Sequence, residues 1–321
     1  MSKALVPQRE YTTIVVSAPD QIEDWLQYCK DADSLAPASI RAYHRGIRVF
    51  TGWLLEQGIG DVTPKTMISY RGWLAERFSL QTTNMRLVAV RSFYRWQVIT
   101  EQISVSPASQ IKGLKQSPTV HHKRELLSDE VLAVLDTCNS NSVKGIRDRA
   151  IISLMAYCAL RTIEVHRANL GNLVNDRNHL VLWVHGKGRL SADEVVVIPP
   201  HQEHAIREWL KVRKVLVGDN DDSAPLFISL SRRNEGQRLQ TRPIRGMVSA
   251  RFDEAGIIGS RKSTHSLRHS AITSAIRHGA DPMAVMSMAR HRSFNTTLKY
   301  FHAESRMQDP AECYISYGEE K

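Results

Sequence analysis

The chain has 321 residues, 42% of them hydrophobic and 24% charged, a composition that is typical of globular proteins and excludes a fibrous or disordered chain. Lys and Arg number 43 against 33 Asp and Glu, and the formal net charge of +10 favours a polyanionic partner, although a basic protein without such a partner can carry the same charge. The longest strongly apolar run, residues 151–160, is too short for a membrane span, and with no secretory leader and no closely paired cysteines we expect a protein of the reducing cytoplasm.

The length predicts two domains, and the first, over residues 1–112, is predicted to be helical. Apolar residues recur at near-helical spacing around residues 22–26 and over residues 38–57, 66–78 and 82–100. Each segment carries one tryptophan, which we expect in a bundle core. Arginines alternate with the apolar positions of the second and fourth segments and are candidates for a DNA-contacting face: Arg41, Arg45, Arg48, Arg86, Arg91 and Arg95.

A linker is predicted over residues 113–124, where glycine, proline and a basic run replace the helical pattern. Two residues of that run, Lys123 and Arg124, are further candidates for DNA contact.

The second domain is predicted over residues 125–321. A strongly apolar helix is predicted over residues 143–160, and two Val- and Leu-rich runs over residues 179–185 and 194–198 predict strands joined by a glycine-rich turn. The remainder is predicted to be mostly helical. The fold class is therefore mainly α, with a small β-sheet in the C-terminal half.

Six arginines and a single glutamate lie between Arg232 and Arg251. This cluster is either a solvated face or a phosphate-binding surface, since the planar guanidinium group suits phosphate oxygens. Arg242 and Arg245 are its candidates for DNA contact.

Several common catalytic signatures are missing from the sequence, which has no phosphate-binding glycine loop, no HExxH motif and no serine-nucleophile elbow. His265 and His269 are four residues apart and would share a helix face, but no Glu or Cys stands at ligand spacing beside them. The sequence therefore predicts no metal site.

Polar residues in apolar surroundings mark the chemically interesting positions. Arg161 directly follows the long apolar run, where a charge needs a partner, either Glu164 three residues on or a ligand anion. Lys187 lies between two glycines at the predicted turn. His265 and Arg268 share one face near a helix N-terminus, where anions bind readily. Each residue alone also has an ordinary structural explanation.

Two more residues, His291 and Tyr300, follow at a separation of nine. In order and spacing, the complete set resembles the tyrosine recombinase family, the phage-integrase and Xer-like superfamily, over residues 126–321. The helical first half fits the core-binding domain of that family more loosely. The resemblance implies a two-domain C-shaped clamp, in which a helical core-binding domain is joined to a catalytic domain with a β-hairpin.

The resemblance also implies a role for each residue of the set. Tyr300 attacks a DNA phosphate to form a 3′-phosphotyrosine, Arg161 and Arg268 bind the non-bridging oxygens, and Lys187 protonates the departing 5′ oxygen. His265 and His291 are implied to hydrogen-bond the phosphate or the nucleophile. Glu164 is implied to orient the arginines, and His269 to support the site. No cofactor, ATP or divalent metal is implied.

The implied partner is double-stranded DNA with short inverted repeats, bound as two duplexes by a homotetramer that forms a Holliday junction and exchanges its C-terminal segment 309–321 between neighbours. Integration, excision and the resolution of cointegrates or dimers all fit, and an accessory DNA-binding protein or a partner recombinase remains open. Arg290, where the family usually has glycine, and the long insert over residues 218–240 favour a mobile-element enzyme. Such an enzyme is expected with the nucleoid in a bacterial cytoplasm.

Arg290 allows two interpretations: a retained tight turn, or an altered turn whose side chain contacts phosphate. Two other functions fit part of the pattern, a catalytically silent DNA-binding accessory protein and a type IB topoisomerase. The complete set of catalytic residues argues against the first, and the compact size and the spacing argue against the second. The sequence does not predict the target DNA.

Overall fold

The computed structural model describes residues 19–115, 125–186, 191–218, 221–259, 263–308 and 311–315. The chain divides into two compact units, residues 1–118 and 119–321. The helices and strands in chain order are α1 Pro19–Asp31, α2 Pro37–Glu56, α3 Pro64–Arg77, α4 Leu80–Ile99, α5 Ser128–Asp136, α6 Val143–Tyr157, α7 Thr162–Arg167, β1 Leu173–Asp176, β2 His179–His185, β3 Ala192–Ile198, α8 Pro200–Val217, α9 Thr241–Glu254, α10 Thr264–Arg277, α11 Pro282–Ala289 and α12 Phe294–Gln308. Short 3-10 helices occupy Leu170–Asn172 and Ala311–Tyr314.

Helices α1 to α4 of the first unit pack around an aromatic core. Phe50 and Tyr70 are fully buried with ring centroids 4.7 Å apart, and Trp25 meets Phe93 edge to face at 5.5 Å. α2 and α4 approach closely at Gly46, because a Cβ there would lie 2.7 Å from the Cβ of Ala89. Edge-to-face aromatic pairs stabilise the core beyond simple burial of their area.

The helix starts of this unit follow from capping. The Thr63 side chain accepts a hydrogen bond from the Thr66 backbone and Pro64 occupies the first helical position, so α3 begins two residues before the predicted start. Ser79 caps α4 in the same way, through the backbone N–H of Thr82. Both caps are local signals in the sequence.

The second unit is built around α6, whose Ile151, Ile152 and Met155 are fully buried. The sequence predicts this helix as far as residue 160, and that prediction is wrong by three residues. Ala159 adopts a left-handed conformation with φ 52°, which ends the helix at Tyr157. An apolar sequence cannot signal such a break, since the residues after it are still buried.

The sheet of the second unit has the antiparallel order β1-β2-β3 among the described residues. The predicted strands β2 and β3 pair with Leu182 opposite Val196, and a bulge follows Val184. β1 was not predicted from the sequence, because its four residues are mostly exposed and carry no alternating apolar pattern. The sheet is thus small and confined to this unit, in accord with the predicted fold class.

The segment over residues 218–240, treated above as an insert, is in its described part a structural component of the second unit. Leu226 and Ile228 are fully buried, and the indole N–H of Trp209 donates to the carbonyl of Leu226 at 2.9 Å. The segment therefore contributes to the hydrophobic core.

No helix among the described residues is long and apolar enough to cross a membrane. The same residues contain no group of three or more His, Cys, Asp or Glu side chains arranged to hold a metal ion.

Candidate active site

Arg161 is positioned by the break after α6. It is the N-cap residue of α7, and its extended backbone turns the chain from one helix into the next. Its backbone N–H and its Nη1 donate to the two carboxylate oxygens of Glu164, at 2.7 and 2.6 Å. Its Nη2 donates to the carbonyls of Ala289 and Arg290, at 3.2 and 3.0 Å. The guanidinium is therefore held by neighbours in sequence and by the end of α11.

Arg268 comes from the first turns of α10, which Ser263 caps through the backbone N–H of Ser266. The residue is 2% exposed, and its guanidinium donates to the carbonyls of Ala159 and Ala289. Arg161 and Arg268 thus share the Ala289 carbonyl as an acceptor, which places their guanidiniums side by side.

Glu164 is the buried carboxylate of the site, at 2% exposure. Besides Arg161 it accepts from Arg290 Nη2 at 2.9 Å. Burial alone would raise the pKa of Glu164, but the guanidinium of Arg290 and the hydrogen bonds from Arg290 and Arg161 hold it below its ordinary value. It stays an anion at neutral pH and keeps contact with both arginines.

Tyr300, on α12, packs against the apolar cluster that contains Ala159 and Ala289, whose carbonyls Arg268 binds. Its Oη is 2.8 Å from His269 Nδ1, and its ring stacks on that of His291 with centroids 6.0 Å apart. His265 is exposed in the first turn of α10, and its ring meets His269 edge to face at 4.5 Å. Residues that are distant in sequence therefore come together in one cluster.

The electrostatics of the cluster are strongly positive. Burial and the charges of Arg161 and Arg290 lower the pKa of Arg268 to about 9, so it remains a cation at neutral pH. Burial and the nearby arginines, Arg268 first among them, lower the pKa of His291 to about 4, so that imidazole is neutral. Burial raises the pKa of Tyr300 to about 12, although the charges of Arg268 and Arg161 act in the opposite direction.

Such a cluster is suited to an anion. Like charges held together favour a negative ligand between them, and guanidiniums donate paired hydrogen bonds to phosphate oxygens. A phenol stands beside them with an imidazole nitrogen within hydrogen-bond distance of its oxygen. Nucleophilic attack on a bound phosphate diester is the chemistry that this arrangement allows.

Three of the sequence candidates lie outside the described residues: Lys187, which follows β2, and Lys123 and Arg124 in the predicted linker. The other site candidates are all among the described residues: Arg161, Glu164, His265, Arg268, His269, His291 and Tyr300.

The candidates for DNA contact divide by exposure. Arg41, Arg45, Arg48 and Arg95 of the first unit are exposed. Arg86 and Arg91 are only half-exposed, and both have partners inside the unit. Arg86 lies 3.6 Å above the ring of Phe78, and Arg91 Nη1 donates to the Ile111 carbonyl at 3.2 Å.

The arginine cluster of residues 232–251 is not one surface. Arg242 and Arg245 are exposed on α9, whereas Arg251 is 9% exposed and pairs with Asp148 at 2.9 Å. Arg238 donates to the carbonyl of His166 at 2.9 Å. The exposed members are compatible with either interpretation, whereas Arg238 and Arg251 have a third role, in the internal structure.

Arg290 is the residue that the sequence left ambiguous, and the turn is retained. It caps α11 with φ 51° and ψ 49°, the left-handed conformation that glycine adopts easily. Its side chain points inward, onto Glu164, at 2% exposure. The side chain is therefore turned towards the protein interior and away from the surface where a phosphate would bind.

Sequence reasoning did not single out Thr297. Its side chain is fully buried, and its Oγ1 lies 3.0 Å from His291 Nδ1. A lone threonine carries no sequence signal that could have identified it.

Two family models and a curated relative match most of the chain. Residues 124–307 match the phage integrase family, and residues 22–100 match the phage integrase N-terminal SAM-like domain. The chain is 28% identical over 290 residues to the tyrosine recombinase XerC of Pelobacter propionicus, covering 88% of this chain and 90% of the relative.

Solved structures show the same fold. The XerH site-specific recombinase bound to palindromic difH substrate aligns with a TM-score of 0.71 and 18% identity, over 95% of this chain and 91% of that one. The Tn1549 transposon integrase in complex with a circular intermediate DNA aligns with a TM-score of 0.68 and 13% identity, over 92% of this chain and 99% of that one. Because the family match spans more than half of its length, the chain belongs to the phage integrase family and is a tyrosine site-specific recombinase.

Proposed function

We propose that this recombinase cuts and rejoins DNA through a 3′-phosphotyrosine on Tyr300. The observation that carries the proposal is the convergence of Tyr300 with Arg161 and Arg268, two guanidiniums that share one carbonyl acceptor and both act on the pKa of the phenol. A protein that only binds DNA has no need of a phenol in that position.

The reaction follows from the positions of these groups. Tyr300 Oη attacks the phosphorus, a P–O bond to tyrosine forms, and the bond to the 5′ oxygen breaks with its electron pair on that oxygen. His269 Nδ1 lies 2.8 Å from Tyr300 Oη. In the tautomer in which this nitrogen carries no hydrogen, it accepts the phenol proton. Arg161 and Arg268 stabilise the added charge on the non-bridging oxygens. Lys187, by family position, protonates the leaving 5′ oxygen.

Rejoining is the reverse attack by a 5′-hydroxyl group. One phosphoester replaces another, so the bond energy is kept and ATP is not needed. Repeating the exchange on a second strand gives a Holliday junction and then recombinant duplexes. His265 and His291 hydrogen-bond the phosphate or the nucleophile in this scheme, and Glu164 orients the arginines without contacting DNA.

Double-stranded DNA is the proposed partner of both units. The helical domain predicted over residues 1–112 acts as the core-binding domain through its exposed arginines. The linker predicted over residues 113–124 adds Lys123 and Arg124, and the catalytic domain predicted over residues 125–321 adds Arg242 and Arg245. The structural relatives XerH and the Tn1549 integrase are bound to DNA in their solved complexes, which supports this assignment.

A homotetramer on two duplexes is the proposed assembly, with residues 309–321 passed to a neighbour. In the described part of that segment, the apolar side chain of Ile315 is 58% exposed and available to pack against a neighbouring subunit. A groove of about 350 Å³ on the second unit, lined in part by Leu132, Ala275 and Met288, offers such a surface. Deleting residues 309–321 is expected to abolish synapsis and leave single-site cleavage; unchanged synapsis would refute the exchange.

The proposed biological role is that of a mobile-element recombinase, for integration and excision or for resolution of cointegrates and dimers, acting with the nucleoid in the bacterial cytoplasm. An accessory DNA-binding protein or a partner recombinase fits the same role. Inverted repeats in the DNA beside the gene would identify the site.

The test is covalent capture. Duplexes with a randomised sequence and a nick are incubated with the protein, and the species that survive detergent denaturation are sequenced to recover the site. Wild-type protein and Tyr314→Phe, a control that removes another phenol, are expected to form the adduct, and Tyr300→Phe is expected to form none. An adduct that survives in Tyr300→Phe would show that the nucleophile is misassigned.

A second assay separates the alternatives. A plasmid with two copies of the recovered site is expected to yield recombinants, whereas a type IB topoisomerase would relax plasmids that lack the site. A silent DNA-binding protein would give neither recombinants nor adduct.

A further inference from the structure

Arg290 makes more contacts than a turn residue needs. Its Nη1 donates to the Met288 carbonyl at 2.6 Å, and its Nη2 donates to the Ala159 carbonyl at 2.8 Å and to Glu164 Oε2 at 2.9 Å. The side chain is 2% exposed. A guanidinium removed from water to this degree is fixed in direction by its acceptors.

The backbone of Arg290 is unfavourable for the residue it carries. A φ of 51° costs a side-chain-bearing residue free energy that glycine does not lose. Ala159, whose carbonyl Arg290 binds, has a φ of 52° as well. Two residues in this unfavourable conformation are therefore in direct contact at the cluster.

Arg290 reaches Arg161 by two routes. Both guanidiniums bind Glu164, whose Oε1 accepts from Arg161 Nη1 at 2.6 Å and whose Oε2 accepts from Arg290 Nη2 at 2.9 Å. In addition, the Arg290 carbonyl accepts from Arg161 Nη2 at 3.0 Å. A shift of Arg290 would therefore move two of the three hydrogen-bond acceptors that hold the Arg161 side chain.

Arg290 reaches Arg268 as well. The Ala159 carbonyl accepts from Arg290 Nη2 and from Arg268 Nη1, so the two guanidiniums converge on one oxygen. Arg290 Nε also lies 4.0 Å from Glu194 Oε2 on β3. The contacts of this one side chain extend to the partners of both arginines that are proposed to bind phosphate.

We propose that Arg290 is a positioning residue for strand cleavage: it holds Glu164 and the Ala159 carbonyl in place so that Arg161 and Arg268 present their N–H groups to the scissile phosphate. This inference rests on the proposed function, in which those two arginines neutralise that phosphate. Arg290 itself does not touch the DNA.

The test compares two substrates, the nicked duplex recovered by covalent capture and the same duplex with a neutral methylphosphonate at the scissile position. The methylphosphonate lacks one charged oxygen, so variants that are defective in neutralising charge lose less of their activity on it. Arg290→Met and Arg290→Gly are expected to bind the phosphodiester duplex within about twofold of wild type and to form the adduct at least about tenfold more slowly. On the methylphosphonate, the deficit relative to wild type is expected to shrink below about threefold.

Arg251→Met is the matched control, since it removes another buried arginine that pairs with carboxylates. It is expected to lower stability and to slow adduct formation equally little on both substrates, at a temperature where all variants are folded. Arg290→Gly guards against misfolding, because glycine relieves the left-handed backbone while removing the guanidinium.

Two results would overturn the inference: wild-type cleavage by Arg290→Gly, or the same deficit on both substrates. The proposed function is checked separately with Tyr300→Phe and Arg161→Ala. If Tyr300→Phe forms no adduct and Arg161→Ala is slow while Arg290→Gly is normal, the proposed function stands and the role of Arg290 falls. If Tyr300→Phe still forms the adduct, the proposed function itself fails.

Discussion

The arginines of α2 in the first unit and those of the Tyr300 cluster in the second unit differ sharply in burial. In the first unit Arg41, Arg45 and Arg48 are exposed on one helix that buries its aromatic face. In the second unit Arg268 and Arg290 are almost fully buried, and their guanidinium groups donate hydrogen bonds to backbone carbonyls. An exposed guanidinium is mobile and screened by salt, whereas a buried one is fixed and acts over a short distance. The net charge of a chain therefore says little about which arginines bind DNA and which do chemistry.

Some arginines fall between these extremes. Arg91 donates to a backbone carbonyl of its own unit, and Arg251 pairs with Asp148 in the second unit. Neither belongs to the cluster around Tyr300. Burial alone thus does not identify a catalytic arginine; what matters is which acceptors and which neighbours it has. The following predictions test the contrast between buried and exposed arginines, from the largest expected effect to the smallest.

The largest effect is expected from Glu164→Ala, which leaves Arg290 buried without its anion. Removing one partner of a buried ion pair costs about 3–5 kcal/mol of unfolding free energy. Urea unfolding measures it. Glu203→Ala, which breaks the exposed pair with Arg207, should cost about 0.5 kcal/mol or less. Equal losses in the two variants would mean that burial does not distinguish these pairs.

Next is Arg268→Lys, which keeps a positive charge but loses the planar fork that binds two acceptors. We expect adduct formation to slow by about 10²–10³-fold, with DNA affinity nearly unchanged, because the lost bonds matter most for the charge of the transition state. The rate on the captured duplex measures it. Arg245→Lys, at an exposed position, serves as the control and should cleave normally. A fast Arg268→Lys enzyme would remove the contrast between fixed and mobile arginines.

The exposed arginines should show their effect in salt dependence. For the triple variant of Arg41, Arg45 and Arg48 to alanine, the slope of log affinity against log salt is expected to fall by about 0.9 for each arginine that neutralises a phosphate. Stability should change by less than about 0.5 kcal/mol per site. DNA titrations at several salt concentrations measure the slope. Arg91→Ala should instead lower stability, since it removes an internal hydrogen bond; a changed slope without loss of stability there would contradict the assignment.

The smallest effect concerns pH. The folded pKa of His291, about 4, lies below its unfolded value of 6.5, so between these values the unfolded chain binds more protons. Stability is therefore full above about pH 6.5 and falls as the pH is lowered towards 4. The slope should stay below about 1 kcal/mol per pH unit, because solvent screens a half-buried group. Urea unfolding across this range measures it, and His291→Gln should flatten the profile.

Much of the fold was predictable from local pattern. The four helices of the first unit and the β2–β3 pair follow from apolar periodicity, and their errors are of a few residues. α6 was predicted too long, because the left-handed Ala159 breaks the helix inside a run that stays buried on both sides of the break. β1 was missed, because a short exposed strand has no apolar face.

The candidate site was predictable in its members and not in its connections. The order and spacing of Arg161, Arg268, His291 and Tyr300 resemble the tyrosine recombinase family, and that resemblance implied the chemistry. The contact of Tyr300 with His269, and the inward direction of Arg290, depend on the packing of α10, α11 and α12 and were not readable from spacing.

The sequence by itself determined the fold class, the family resemblance and the residues able to carry the chemistry, because periodicity, residue type and order are properties of the chain. Only the tertiary structure decided which arginines face solvent, which share the carbonyls of Ala159 and Ala289, and which side chain holds Glu164. Burial and hydrogen-bond partners arise from segments far apart in sequence. The same residue type therefore acquires its role from where the fold places it.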